Sequence, residues 1–387
     1  MTRSFKMLLT AACTAAALSA GAQAAEVTLY GSISTGVVYT HTDKLTGGAA
    51  PQDKVDNVSM ESAWYGDSIW GLTGTEELGG GWTVGFTLEN EFTSDDGAMA
   101  TENGIFDSQA YLRIGNDFVN IAAGNLGTLA SAGGDFDLVG GFDPLEAAFG
   151  VGGMGTFASR DFAMANSAVI EVTPIEGLKV SFMGSAGDDD SLSRWADRNH
   201  YYGLGAAYEN GPFAVAAVVE MMQYDKAPVA NATDDRGMLY TLGLSWDFGF
   251  VKPTFMYQHA DKVRSFRDND MRDALGVVNN DAYTIDSFLL GATAPLGSGT
   301  LMGSIQYMKA ENETVASSDN EADAFVVGLA YAYEMSKRTT LYAGATYAQG
   351  GDGLDKDLSA SSAFGEGFMD RAEFNGFQFG LGLNHTF

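Results

Sequence analysis

The strongest constraint in this sequence is a period of two. Across 27–40, Val27, Leu29, Ile33, Val37 and Tyr39 alternate with Thr28, Ser32, Ser34 and Gly36. Trp82, Val84, Phe86 and Leu88 alternate with Thr83, Gly85, Thr87 and Glu89, and the pattern returns across 240–248, 325–333 and 377–387. Side chains two apart share one face of a strand, so each run predicts a strand with one apolar and one polar face. Glycine far outnumbers proline, 49 residues against 7, which favours extended structure over helices.

The connections between the runs alternate in length. Short turns at 77–81, 115–117, 174–177, 209–211, 248–250, 295–299 and 334–338 are mostly rich in Gly, Pro or Asn, which supply turn dihedrals. Long, polar, acidic stretches lie between them at 41–60, 186–198, 226–237, 261–281, 310–320 and 350–375. Short connections on one side and long ones on the other define a transmembrane β-barrel. The polar faces carry Gly, Ser, Thr, Gln, Glu and Asp, as a water-filled interior requires, whereas a soluble sandwich would turn them to bulk water. Counting runs predicts an all-β, antiparallel transmembrane barrel of about sixteen strands. Pro253 falls inside one run and is expected near the rim or at a bulge, where no ladder hydrogen bond is lost.

Charge and the N-terminus narrow the setting. The formal charge is -29, from 21 Lys and Arg against 50 Asp and Glu, so nucleic acid is excluded as a partner. Arg3 and Lys6 precede the apolar stretch 7–20, and Ala22-Gln23-Ala24 supplies small residues for cleavage. Residues 1–24 are therefore expected to be a secretory signal and 25–387 the barrel. The one cysteine, Cys13, falls within the signal, so the mature chain has no disulfide or thiolate site. One stretch, 124–160, breaks the alternation: it holds ten glycines and the acids Asp135, Asp137, Asp143 and Glu146, with Arg160 as its only base. A structureless connection of that length is uncommon and usually functional.

Taken together, these residues resemble the trimeric general porins of Gram-negative bacteria. Val27-Thr28-Leu29-Tyr30-Gly31 is similar to the family's opening strand, and 70–81 to its second strand and turn. Asn166-Ser167 resembles the strand returning from the constriction loop, 335–343 the penultimate turn and strand, and 380–387 the closing strand with its terminal Phe387. The resemblance implies a homotrimer of sixteen-stranded barrels in the outer membrane, with an inward-folded third external loop at 126–157. It also implies contact with outer-membrane lipid and lipopolysaccharide, recognition of Phe387 by the insertion machinery, and passive diffusion of small hydrophilic solutes.

In such porins the loop acids face bases across the lumen. Here Asp135, Asp137, Asp143 and Glu146 are the expected constriction acids, each equally suited to a solvated or backbone-capping role. Arg113, which alternates with Leu112 and Ile114, and Arg160, where the loop rejoins the wall, are the expected constriction bases. The positions aligned with the family's usual bases carry Ile69, Thr73, Asn125 and Val169. Lys179 and Lys252 lie beside short turns, and Glu89, Glu171, Glu220 and Asp247 are expected to point inward. Acids outnumber bases, so mild cation selectivity is expected.

Other classes fit less well. Four scattered histidines, with no Gly-x-Ser-x-Gly elbow and no His-Glu-x-x-His run, argue against an enzyme. No cofactor is expected; calcium on the acid clusters Asp188, Asp189, Asp190 or Asp352, Asp355, Asp357 is the one case to weigh, and neither cluster has EF-hand spacing. An adhesin, a structural anchor or a substrate-specific channel are the alternatives.

Overall fold

A computed structural model describes residues 26–46, 55–100, 104–159, 163–187, 200–223, 236–263, 283–312, 321–350 and 373–387. The expected signal, Arg160 and the two candidate calcium clusters lie outside the described residues. The strands are β1 (Glu26–Thr46), β2 (Val55–Ser62), β3 (Ile69–Gly79), β4 (Trp82–Glu91), β5 (Gln109–Gly115) and β6 (Val119–Gly127). After a long connection come β7 (Ala163–Ile175), β8 (Leu178–Ser185), β9 (His200–Asn210), β10 (Phe213–Gln223), β11 (Arg236–Trp246) and β12 (Lys252–Val263). The chain ends with β13 (Tyr283–Leu296), β14 (Gly299–Asn312), β15 (Glu321–Ser336), β16 (Thr339–Gly350) and β17 (Glu373–Thr386).

β1 pairs antiparallel with β2, each strand from β3 onward pairs antiparallel with the next, and β17 returns to β1 over Ser32–Thr46, which closes the sheet. The other side of β1 is shared. Its first part pairs with β3 (Glu26↔Thr75 to Ser32↔Ile69) and its later part with β2 (Thr35↔Ser62 to Thr42↔Val55). β2 and β3 thus occupy one position in the barrel, and seventeen strands make a closed sixteen-stranded barrel. The break between them, 63–68, was not legible in the alternation. Here Ala63 takes a positive φ of 53° and Trp64 is buried.

The alternation sorts the faces as expected. On β14, Leu301, Ile305 and Tyr307 are exposed while Met302, Ser304, Gln306 and Met308 are buried. Outward aromatics cluster at both ends of the apolar band. Phe213, Trp246, Phe248 and Phe250 form a chain of rings at the short-turn end, and Tyr257 packs on Phe288 at the long-loop end. On β15 the outward set from Phe325 to Tyr333 spans about 27 Å along the strand at ~3.4 Å per residue, enough for the apolar band of a tilted barrel.

Pro253 falls near the rim as expected, and one inward residue is corrected. Pro253 is the second residue of β12 and lies beyond the last β11 pair, Ser245↔Thr254, so its missing N–H costs no bond to β11. Asp247 does not face the lumen. β11 ends at Trp246, and Asp247 sits exposed in the turn, where its Oδ1 accepts the Gly249 N–H at 2.6 Å.

Because Ile305 is 51% exposed on the lipid face, Ile305→Arg should destabilise the barrel by about 2–4 kcal/mol if that site lies near the bilayer midplane. Urea unfolding in lipid vesicles measures the effect, with Ile305→Val as the near-neutral control.

Candidate functional site

The connection between β6 and β7 is described over 128–159. It packs on the face of the sheet opposite the apolar belt. Phe142 lies against Gly243 of β11 and Pro144 against Gly291 of β13, where a Cβ in place of either glycine would overlap the ring. Phe149 packs edge-on to Trp64 at 5.2 Å between centroids and to Tyr342 at 6.1 Å. The Phe149 N–H also donates to the Trp64 carbonyl at 2.7 Å, so the inserted 63–68 segment clamps the far end of the connection.

The return arm is held by polar side chains of the wall. Gln306 donates to the Gly152 carbonyl at 2.5 Å and accepts the Thr156 N–H at 3.2 Å. Gln258 accepts the Ala158 N–H at 2.8 Å and donates to Ser159 at 2.6 Å. Thr346 donates to the Phe149 carbonyl at 2.9 Å, Ser304 to Gly152 at 2.8 Å, and Ser287 to the Thr156 carbonyl. Each such bond contributes on the order of 1 kcal/mol net, and leaving its buried partner unpaired would cost more.

This seat explains a departure from the expected wall. The inward positions include Met183, Val218, Leu239, Met256, Leu289 and Val326, all buried. They sit beneath the connection and form one apolar cluster with Leu129, Leu138, Phe142, Met154 and Phe157. The alternation placed a polar face here because it could not show that a distant segment of the chain packs against these side chains. Five non-glycine residues of the connection, Ala132, Glu146, Ala147, Phe149 and Met154, take positive φ between 45° and 62°. Such conformations cost about 1–3 kcal/mol each and persist only where the surroundings over-determine them.

The four expected acids divide. The carboxylate of Asp137 accepts the N–H groups of Ala132, Val139 and Gly140, the last at 2.6 Å. Asp143 is buried and accepts from Leu145 at 3.1 Å and Ala147 at 2.7 Å. Both carboxylates are turned onto the connection's own backbone. Glu146 is exposed. Asp135 is half-buried, accepts a hydrogen bond from the Tyr111 hydroxyl of β5, and donates its N–H to Gln109 at 3.1 Å. Asp135 thereby joins a wall group that sequence reasoning did not assemble. Thr87 donates to Tyr111 at 3.0 Å, and the β4 carboxylate Glu89 accepts from Tyr30 at 2.8 Å and Ser108 at 2.6 Å.

The bases are sparse. Arg113 lies on the same inward face of β5 as Tyr111, two residues along, so it stands beside Asp135 rather than opposite it. Lys179 pairs with Glu171 at 3.2 Å near the β7–β8 turn, and Lys252 donates to the Gly141 carbonyl at 3.3 Å. Glu220 is buried behind the connection and accepts from Tyr201 at 2.7 Å.

A closed antiparallel barrel with an apolar outer band defines an outer-membrane channel protein. The sequence profile of the Gram-negative porins matches residues 11–353, and the chain belongs to that family. An outer membrane porin protein of Bordetella pertussis is 29% identical over 394 residues, covering 95% of this chain and 99% of the relative. Among solved structures, the anion-selective porin from Comamonas acidovorans superposes with a TM-score of 0.68 at 23% identity, over 94% of this chain and all of that one. A trimer form of the Vibrio cholerae outer membrane protein OmpT gives 0.61 at 15% identity, again over 94% of this chain. These structures share the fold. The protein is an outer-membrane porin, a non-enzymatic channel of the Gram-negative outer membrane.

Two predictions follow from the seat. Phe142→Ala empties a buried aromatic site and should weaken docking of the connection by about 3–5 kcal/mol. Faster amide exchange across 138–149, with the strands unchanged, measures it. Burial pushes the Asp137 carboxyl up to about 6, against 3.8 for the free group. Docking therefore takes up a proton, so its contribution is fully present below pH ~3.8 and lost as pH rises through about 6. Exchange protection at 132–140, corrected for intrinsic rates, should fall between pH ~3.8 and about 6 and level off above that, and Asp137→Asn should flatten the change.

Proposed function

We propose that the connection 128–159 lies in the lumen as its constriction, and that the channel passes small hydrophilic solutes by passive diffusion with a mild preference for cations. One observation carries the selectivity reading. Asp135 of the connection is bonded to Tyr111 on the β4–β5 wall, which also carries the buried Glu89, and Arg113 is the one base on that wall among the described residues whose strand register turns it inward. Glu146 is the second pore-side acid of the connection, while Asp137 and Asp143 serve its internal turns. Arg160, where the connection rejoins the wall, belongs to the proposed constriction but lies outside the described residues. Only charges within about 8 Å of a permeating ion act strongly at physiological ionic strength, so the balance at the narrowest level decides selectivity.

The Comamonas porin of the same fold is anion-selective, which makes this reading a sharp one. A fold shared at 23% identity does not carry over lumen charges, and here the acids dominate. The same reading takes the protein as a homotrimer, like the Vibrio trimer form, surrounded by lipid and lipopolysaccharide and inserted through recognition of Phe387. Calcium bridging between the external acid clusters and lipopolysaccharide belongs to the proposal too; a chelator that leaves trimer melting unchanged removes it.

Planar-bilayer reversal potentials in a salt gradient should show cation preference at neutral pH. The double variant Asp135→Asn, Glu89→Gln should move the potential toward zero or reverse it, and anion preference of the wild type refutes the reading. Liposome swelling with sugars of graded size should show a sharp size limit without saturation, whereas saturation would indicate a substrate-specific channel.

A further inference from the structure

The charged side chains that the strand register turns inward are sorted by height along the barrel. The bases stand near the short turns. Arg113 lies over Gly85 of β4, about 7 Å along β5 from Gly115 at ~3.4 Å per residue. Lys179 is the second residue of β8 and Lys252 the first of β12. Acids accompany them: Glu171 pairs with Lys179 at 3.2 Å, and Glu77 of β3 and Glu209 of β9 are exposed at the strand tips. Among the described strand residues turned inward, charge is therefore close to balanced in the short-turn third.

The long-loop part is acidic. Val58 and Met60 are exposed on the outer face of β2, which turns Glu61 inward opposite Gly36. Glu89 stands about 24 Å along β4 from Trp82, again at ~3.4 Å per residue. Asp135 donates its N–H to Gln109, the residue of β5 farthest from the short turn. The β4–β5 connection adds Asp95, Asp96 and Asp107 and no base. Among the described strand residues in unbroken register, no Lys or Arg faces inward at this level, and Lys262 lies in the β12 bulge next to Asp261.

Unequal charge along a narrow path makes conduction depend on direction. An acid-lined zone carries current mostly as cations, whereas a balanced zone carries both ions. Cations driven from the acidic zone into the balanced one meet anions that cannot cross, so salt accumulates there and conductance rises. The opposite field draws cations out through the acidic zone and anions out through the short-turn mouth, and the balanced zone is depleted.

We propose that the channel rectifies, passing more current when the long-loop side is positive than when it is negative. The inference rests on the barrel interior being the ion path, and it concerns where charge lies along that path, not its net sign.

Single channels of the mature porin in planar phosphatidylcholine bilayers test it, with equal KCl on both sides. Orientation is read from the side on which streptavidin alters the current of a biotinylated Asn210→Cys variant, labelled on the exposed β9–β10 turn; the chain's one cysteine, Cys13, lies in the expected signal. At about 0.01 M salt, where the Debye length is ~30 Å, currents at opposite voltages should differ by about twofold, and at about 1 M, where it is ~3 Å, they should be equal. Equal currents at low salt, or a larger current with the long-loop side negative, overturn the proposal. Arg113→Glu, or Arg113→Gln with a smaller effect, should reduce the asymmetry while raising cation preference in reversal potentials. Glu61→Gln should reduce the asymmetry while lowering that preference. A change of pore width alone would scale both currents alike, so an asymmetry untouched by either substitution also overturns it. A cation-preferring channel with equal low-salt currents fails this inference and leaves the selectivity reading intact, whereas anion preference with the asymmetry present does the reverse.

Discussion

Everything in this molecule depends on the cost of an unpaired backbone amide in hydrocarbon. Each N–H or C=O left without a partner in the bilayer costs several kcal/mol, so a sheet can cross only if it has no edge. The return of β17 to β1 removes the last edge. The requirement also explains how β1 can serve β2 and β3 in turn. Where the chain breaks strand at 63–68, the backbone turns to the interior, where the Trp64 carbonyl is taken by Phe149. Irregular backbone at this depth is tolerated only inside the barrel.

The β6–β7 connection packs on the face of the sheet opposite the apolar belt, where it shares one apolar cluster with the strands. The wall beneath is specialised for that role. Glycines at 243 and 291 admit the rings of Phe142 and Pro144, while Gln258, Ser287 and Gln306 meet the backbone of the return arm. A segment carrying five strained residues stays in place because apolar burial and hydrogen bonding act on the same side chains and backbone at once. Its acids divide by the same logic. Asp137 and Asp143 accept from the connection's own turns, and Asp135 meets Tyr111 and Gln109 of β5.

Asp135 is tied through Tyr111 to the wall that also carries Glu89 and Arg113. Which acids line the passage depended on hydrogen bonds formed by backbone amides two to five residues away, and no composition or spacing announces those.

The sequence by itself determined the barrel. A period of two and short turns alternating with long acidic connections admit few other solutions, because sheet pleating forces alternate residues to opposite faces. It also marked 124–160 as exceptional. Tertiary structure alone decided what lies on the inner face. Met183, Leu239 and Met256 face inward because a distant segment covers them, Trp64 because a strand is interrupted, and Asp247 faces solvent because β11 ends one residue earlier. Those outcomes depend on contacts between residues far apart in the chain, where one apolar side chain meets another and water is excluded, and a local pattern carries no record of them.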